Sequence, residues 1–558
     1  MRENKFHHLS DYGKRNYARA LRQLMACGAI LSLMACASDD EPRDLTEPLQ
    51  GFIGGIIADE PQAALIGQDI LSIGGTAVDA VVASYFAMAV TLPSQASLGG
   101  GGLCVVADNQ TGEVRALDFL ARPPVAASQA EAMSGVDRPT AVPGNIRGLY
   151  ALQARYGRLK WPQLIAPAER LARFGAQVSR AFANDLKTLG PALIVEPSIR
   201  RVFASADGTR LVGEGDIIVQ YDLAAILSRL RSEGPGLFYA GPNAREFVNA
   251  TTAAGGTLTL ADLSGYRPIW RDTVTLPMDD EVAHFAPPPL YGGTLTATML
   301  AMLAEDGRFE EADAKARYHL LLDTAARAFS IQAQSEPAGE GGAADGADIA
   351  EDPAEHAALA ADFRADRQDQ RLFSGLPLRK PENPAGATIV AYDRDGSAAA
   401  CVFTLNSLFG TGRIADGTGV VLASLPGSGG RGASSFGPML VVNENVNRAM
   451  FAAAASGGVA ASTSEAAVAA FALLAEKPLS DAVGLPRVHG GSEPSRVYAE
   501  QTLDPAILRF LRGLGYPVAL TAKLGEVNAI WCPGGPNEPN RCTAVSDPRG
   551  SGLALLGN

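Results

Sequence analysis

The richest run of side chains able to do chemistry lies between Asn383 and Gly412. Thr388 opens an apolar stretch that ends at Tyr392. A second stretch, Ala399 to Leu405, closes in Thr404-Leu405-Asn406-Ser407, a run of small polar groups. Thr and Ser hydroxyls become nucleophiles only when a base takes their proton, so their placement decides what they can do. Both stretches read as strands. Asp393-Arg394-Asp395-Gly396 between them reads as a tight turn, because Gly tolerates the positive φ of short hairpin loops. Downstream, Ser424 to Ser435 is a Gly- and Ser-rich loop ending in Ser434-Ser435, and Gly457-Gly458 opens a helix through Ala475.

Other chemistries find little support. The six His residues are scattered with no metal-site spacing, and His284 and His489 read as surface or satisfied core residues. Gly99 to Gly102 lacks the Lys-Ser/Thr of a phosphate loop, so it reads as a place where backbone passes close to a sheet. No cofactor and no metal are expected.

The elements that must position these groups are legible in part. Phe52 to Ala58 is an apolar strand, and Pro61 to Ile73 is a helix stopped by Gly74-Gly75. Thr76 and Asp79 open a second helix, Ala77 to Val90, apolar almost all round and therefore buried. Leu103 to Ala107 is a strand. Leu295 to Glu305 and Ala314 to Ser330 read as helices, and Met439 to Val442 and Phe451 to Ala455 as strands. The acidic segment 334–355, without Lys or Arg, reads as a mobile loop.

The 558 residues suggest one large or two ordinary domains. Net charge of −13 argues against non-specific nucleic-acid binding and for a small-molecule or peptide ligand. Lys14, Arg15, Arg19 and Arg22 precede an apolar run, Leu24 to Ala35, of signal-peptide length. It ends in Leu33-Met34-Ala35-Cys36 and resembles a bacterial lipobox. The expectation is a signal peptide over 1–35, a lipidated Cys36, a tether over 36–50, and a protein anchored by lipid to the outer or inner membrane in the periplasm of a Gram-negative bacterium. Cys104 and Cys401, in apolar strands, read as buried thiols. Cys532 and Cys542 flank a turn-rich loop and are expected to close it as a disulfide in an oxidising compartment.

Many short matches in one collinear order resemble the γ-glutamyltransferase (γ-glutamyltranspeptidase, glutathione hydrolase) family. Gly74-Gly75-Thr76-Ala77-Val78-Asp79-Ala80, Leu98 to Leu103, Ala116-Leu117-Asp118-Phe119 and Ala141-Val142-Pro143-Gly144 carry the opening. Gly255-Gly256-Thr257-Leu258-Thr259, Pro287-Pro288-Pro289, Ala482 to Arg487 and Ser546-Asp547-Pro548-Arg549 continue it across residues 50 to 550. The resemblance implies an α+β fold, the αββα four-layer sandwich of N-terminal-nucleophile hydrolases. A large-subunit-like region, 51–385, and a small-subunit-like region, 386–558, would intertwine in it. It also implies self-cleavage into a heterodimer, with a freed Thr attacking γ-glutamyl amides and its own α-amine as base.

Carried over residue by residue, the resemblance is uneven. Thr404 would support the nucleophile, Asn406 and Ser434-Ser435 would bind substrate, and the N–H groups of Gly457 and Gly458 would form an oxyanion hole. The nucleophile position itself falls at Gly386, which has no hydroxyl. Thr388 is the nearest candidate, displaced by about 6–7 Å along a strand. Val402 replaces a second Thr, and the substrate-carboxylate Arg falls at Leu120, with Arg122 nearby. Ala423-Ser424-Leu425-Pro426-Gly427 stands where an acidic run would hold the substrate amine. Two readings follow: impaired or altered amide chemistry through Thr388, or an inactive homologue that acts as a binding or envelope lipoprotein.

Overall fold

The hairpin around Gly396 lies at the centre of a seven-stranded sheet that is stacked on a six-stranded one. In chain order their strands are β1 (Gly54–Ala58), β2 (Gly101–Ala107), β3 (Val114–Asp118), β4 (Ile269–Arg271), β5 (Val274–Met278), β6 (Glu281–Phe285), β7 (Gly386–Asp393), β8 (Ala398–Thr404), β9 (Met439–Asn443), β10 (Arg448–Ser456), β11 (Glu526–Trp531), β12 (Thr543–Val545) and β13 (Leu553–Gly557). The first sheet runs β13-β1-β7-β8-β2-β3-β4 and the second β12-β11-β10-β9-β6-β5. All pairings within both sheets are antiparallel. The computed structural model describes residues 51–125, 136–205, 207–335, 352–369, 372, 386–426, 436–491 and 496–557. Leu49–Asn558 clusters as one compact unit.

Side chains alternate faces along a strand, and both faces of these sheets are covered. Ala387, Ile389 and Ala391 of β7 join one apolar cluster with the helices α1 (Pro61–Ser72) and α2 (Ala77–Thr91). Val390 and Tyr392 point the other way, into a cluster shared with Leu440, Ala452 and Ile530 of the second sheet. A third cluster packs that sheet against α3 (Tyr291–Ala304), α4 (Ala314–Ser335) and α5 (Ala460–Ala469). Helix, sheet, sheet, helix is the expected αββα order. It also explains why β7 reads as near-continuous apolar sequence: all eight of its residues are buried.

Local chemistry sets the joints. Thr76 and Asp79 form a reciprocal capping box at the start of α2, which is buried along its full length. In the hairpin, Asp393 Oδ1 accepts from the N–H groups of Asp395 and Ser397, and its Oδ2 accepts from Ala77 N–H at the first position of α2. One buried carboxylate therefore fixes both the turn and the helix above it. Gly396 takes φ +94°, as the turn requires.

Residues before and after position 386 contribute to both sheets. β1 pairs with β7, β2 with β8, and β6 with β9. Neither region could bury its strands alone.

Several expectations need correction. Cys104 and Cys401 are not free thiols. They are direct partners across β2 and β8, with Cα atoms 4.1 Å apart, and form a disulfide. Direct opposition in antiparallel register brings the two sulfurs within bonding reach, with Cα atoms a little closer than is usual, and register is not visible in sequence. Cys532 and Cys542 are bonded as expected. The acidic 334–355 segment is helical at both ends: α4 runs to Ser335, and Pro353–Ala361 is a helix capped by Asp352. Residues 336–351 lie outside the described residues. Gly457 and Gly458 do not open a helix, since both have positive φ and α5 begins at Ala460. The signal segment, Cys36 and the tether also lie outside the described residues.

Candidate active site at the strand ends

Gly386 is the first residue of β7 and pairs directly with Thr404, the last of β8. A Cβ placed on Gly386 would lie 2.6 Å from Phe436 Cζ and 3.1 Å from the Phe403 carbonyl oxygen. Non-bonded carbon atoms sit comfortably at about 3.5–4.0 Å. The Phe436 ring, 2 % exposed, thus fills the space that a side chain at 386 would need.

Thr388 lies two residues along, on the same face, and is buried. Its backbone N–H donates to Asp59 Oδ2 at 2.7 Å. Its Oγ1 donates to the Asp59 carboxylate at 3.2 Å and accepts from Asn528 Nδ2 at 2.7 Å. Asn528 Nδ2 also donates to Asp59 Oδ1 at 2.6 Å, and Asn528 Oδ1 accepts from Asp547 N–H. Ala387 and Gly386 precede Thr388 in register with β8. Asp59 is pushed up to about 7, first by burial and then by the nearby Glu526 carboxylate, against the pull of its hydrogen bonds from Thr388 and Asn528.

This cluster joins the two sheets at one end. Asp59 follows β1, Thr388 is in β7 and Asn528 is in β11. Asn528 is opposite Ala454 on β10, two residues before Ser456, which leads into Gly457 and Gly458. Gly457 packs so close to Gly525 that a Cβ would come within 2.5 Å of the Gly525 Cα. The network continues to Asp547, which pairs with Arg487 at 2.5 Å and with Arg549 at 3.2 Å. Burial opposes ionisation of Asp547, but the two guanidiniums prevail and hold its carboxyl below the usual range. The segments around Arg487 and Asp547, 60 residues apart, thus meet in one buried ion pair.

The other candidates are placed as follows. Thr404 Oγ1 accepts from Asn406 N–H at 2.9 Å. Asn406 takes a left-handed φ of +64°, and its Nδ2 donates to the Ser424 carbonyl at 2.9 Å, so the amide braces the following loop. Leu120 is half-buried against the inter-sheet apolar cluster. Arg122 does not stand in for an Arg at 120: its guanidinium bonds the Arg267 carbonyl, reaches Asp118 at 3.4 Å and lies 5.2 Å from the Tyr266 ring centre. Ser434 and Ser435 lie outside the described residues. No cluster of His, Cys, Asp and Glu able to hold a metal exists among the described residues.

Sequence reading missed Asp59, Asn528 and Phe436. Asp59 closes an apolar strand just before Pro61 and looks like ordinary turn punctuation. Its partners are 329 and 469 residues away. Only the strand order β1-β7, stacked on β11, brings them together.

The stacked antiparallel sheets between helical layers, with one sheet's central hairpin ending at the site, define the N-terminal-nucleophile hydrolase fold. The gamma-glutamyltranspeptidase model matches residues 63–426 and 423–556, and the chain belongs to that family. It is 26 % identical to the glutathione hydrolase proenzyme of Escherichia coli K12, over 91 % of this chain and 92 % of that one. It is 28 % identical to the glutathione hydrolase proenzyme of Pseudomonas aeruginosa, over 90 % and 94 %. Among solved structures, cephalosporin acylase from Bacillus halodurans shares the fold, with a TM-score of 0.75 at 19 % identity over 91 % of this chain and 96 % of that one. Helicobacter pylori gamma-glutamyltranspeptidase matches with a TM-score of 0.50 at 28 % identity, over 56 % of this chain and 91 % of that chain.

Proposed function

We propose that this protein is a γ-glutamyltransferase-family member that remains one uncut chain and does not turn over γ-glutamyl amides. It acts as a binding protein of the cell envelope, anchored through a lipid on Cys36. One observation carries the reading: the Phe436 ring stands where a Cβ would go on Gly386, the residue to which the family resemblance assigns the nucleophile. Leu120 and Val402 support it, because both replace polar groups the resemblance assigns to substrate and nucleophile. A hydrogen bond to a charged group is worth roughly 1.5–3 kcal/mol, so an Arg lost to Leu weakens a free α-carboxylate's hold considerably. The ligand under this reading is a small γ-glutamyl or peptide-like molecule bound without chemistry.

One observation favours a second reading. Thr388 Oγ1 is hydrogen-bonded to a carboxylate with a midpoint of about 7, a suitable proton acceptor. Cleavage before Thr388 would then leave fragments divided near residue 387, and activity would vanish in Thr388→Ala. Intact mass of the reduced, denatured protein, with turnover of a γ-glutamyl anilide, separates the two. A single uncut chain without turnover supports the binding protein; two fragments with Thr388-dependent turnover overturn it. Mass spectrometry of the mature N-terminus tests the anchor, and a terminus other than lipidated Cys36 rejects it.

A further inference from the structure

A cavity of about 270 Å³ opens beside the Asp59 cluster and shares Asp59, Glu526 and Arg549 with it. Six separate parts of the chain wall it: Asp59 after β1, Gln95 after α2, Asp185 on the helix Arg180–Leu193, Leu408 past β8, Glu526 at the start of β11, and Arg549 before β13. Its charged groups fall into two sets. Lys523 pairs with Glu526 at 2.5 Å, and Arg549 is held by Glu500 at 2.6 Å and by Asp547. Both cations are therefore already matched.

Asp59 and Asp185 are not. Neither has an ion-pair partner among the described residues. Ser94 and Gln95 both donate to Asp185 Oδ2, and among the described residues no donor reaches its Oδ1. Every hydrogen bond to Asp59 comes from a neutral group. These two carboxylates are hydrogen-bonded but carry no counter-charge, and an ammonium entering the cavity would supply one.

We propose that this cavity binds a small organic amine, whose ammonium supplies the counter-charge to Asp185 and Asp59 while its carbon chain lies against Leu408. The charge balance selects a cation over an anion, since the cavity's own Lys and Arg are engaged. The mixed lining selects a short aliphatic amine over a bare metal ion, which would need oxygen ligands on all sides. The proposal stands independently of whether position 386 is catalytic.

Calorimetric titration of the full-length protein with 1,4-diaminobutane tests it, with 1,4-butanediol as the uncharged control of equal length. Saturable one-site binding is expected for the diamine, with no heat for the diol. Burial raises Asp185 to about 6, and burial together with Glu526 raises Asp59 to about 7. Both ionise as pH rises, so binding should tighten between pH 5 and 8. Lys523, Glu526 and Arg549, the other charged groups facing the cavity, are paired with each other or with Glu500 and Asp547. Asp185→Asn should weaken binding at least tenfold. Leu408→Trp, which fills the cavity without touching a charge, should abolish it, so the answer does not depend on one variant folding. Equal heats for diol and diamine overturn the proposal, and so does diamine binding that both variants leave unchanged.

Discussion

At the scale of single residues, the contact between Gly386 and Phe436 decides how much of the family's chemistry remains. Restoring a hydroxyl alone is not enough, because the ring stands where the new side chain must go. Gly386→Thr should destabilise the protein by about 1–3 kcal/mol, the usual range for overpacking a filled core. Phe436→Ala should relieve most of that when the two are combined. Urea unfolding of the four members of the cycle measures the coupling. Strictly additive effects would show that the ring and position 386 do not compete.

Asp59 makes a second prediction at this scale, and its sign follows from direction. Its folded midpoint of about 7 lies above the ordinary 3.8. The folded state therefore holds a proton that the unfolded chain releases between about pH 4 and 7. Stability from this group is fully present below pH 4 and is lost as pH rises towards 7. Asp59→Asn, which cannot ionise, should flatten the fall in melting temperature across that window. An unchanged slope would contradict the assignment.

At the scale of elements, the β7–β8 hairpin shows what sequence can and cannot reveal. Gly396 and the Asp-rich turn were legible because turn chemistry is local. The strand ends shifted by only a residue or two, since the apolar runs on both sides are continuous. The tie from Asp393 to Ala77 was not legible, because it joins groups 316 residues apart. Asp393→Ala would strip acceptors from the N–H groups of Ala77, Asp395 and Ser397 in a buried place. A loss of about 1–3 kcal/mol is expected, the cost of leaving such a donor unpaired. Hydrogen exchange at the start of α2 should rise together with exchange in the turn, and exchange rising in the turn alone would disprove the tie.

α3 and α5 pack against each other around a similar hidden group. Glu465 is buried, its Oε2 accepts from Thr296, and its Oε1 has no partner among the described residues. Burial raises its midpoint well above the usual value, and the Thr296 bond only partly opposes this. Glu465→Gln keeps the shape and removes the need for a proton. It should stabilise the protein at pH 8 relative to wild type, and the advantage should shrink towards pH 4. An equal effect at both values would argue against a buried neutral carboxyl.

At the scale of the whole molecule, the four-layer sandwich was readable from collinear fragments that each say little. Their order sufficed because the fold needs all of them: β1 to β4 cannot form a sheet without β7 and β8. The candidate site was less readable. Sequence singled out Thr404, Asn406 and the glycine pair, yet Asn406 braces Ser424 and the glycines lie just before their helix. What positions these groups is strand register and sheet stacking, and neither leaves a local mark on the chain.

The Cys104–Cys401 bond has a consequence of that global kind. Its two halves belong to opposite sides of residue 386, 297 positions apart, yet they lie side by side in one sheet. A nick anywhere between them would therefore not free a fragment. The pieces would migrate together on a gel without thiol and would survive dilution as one species. Only after reduction in denaturant would two polypeptides separate. Apparent integrity under oxidising conditions thus says nothing about peptide-bond continuity, and the bridge would hold even a processed form in permanent partnership.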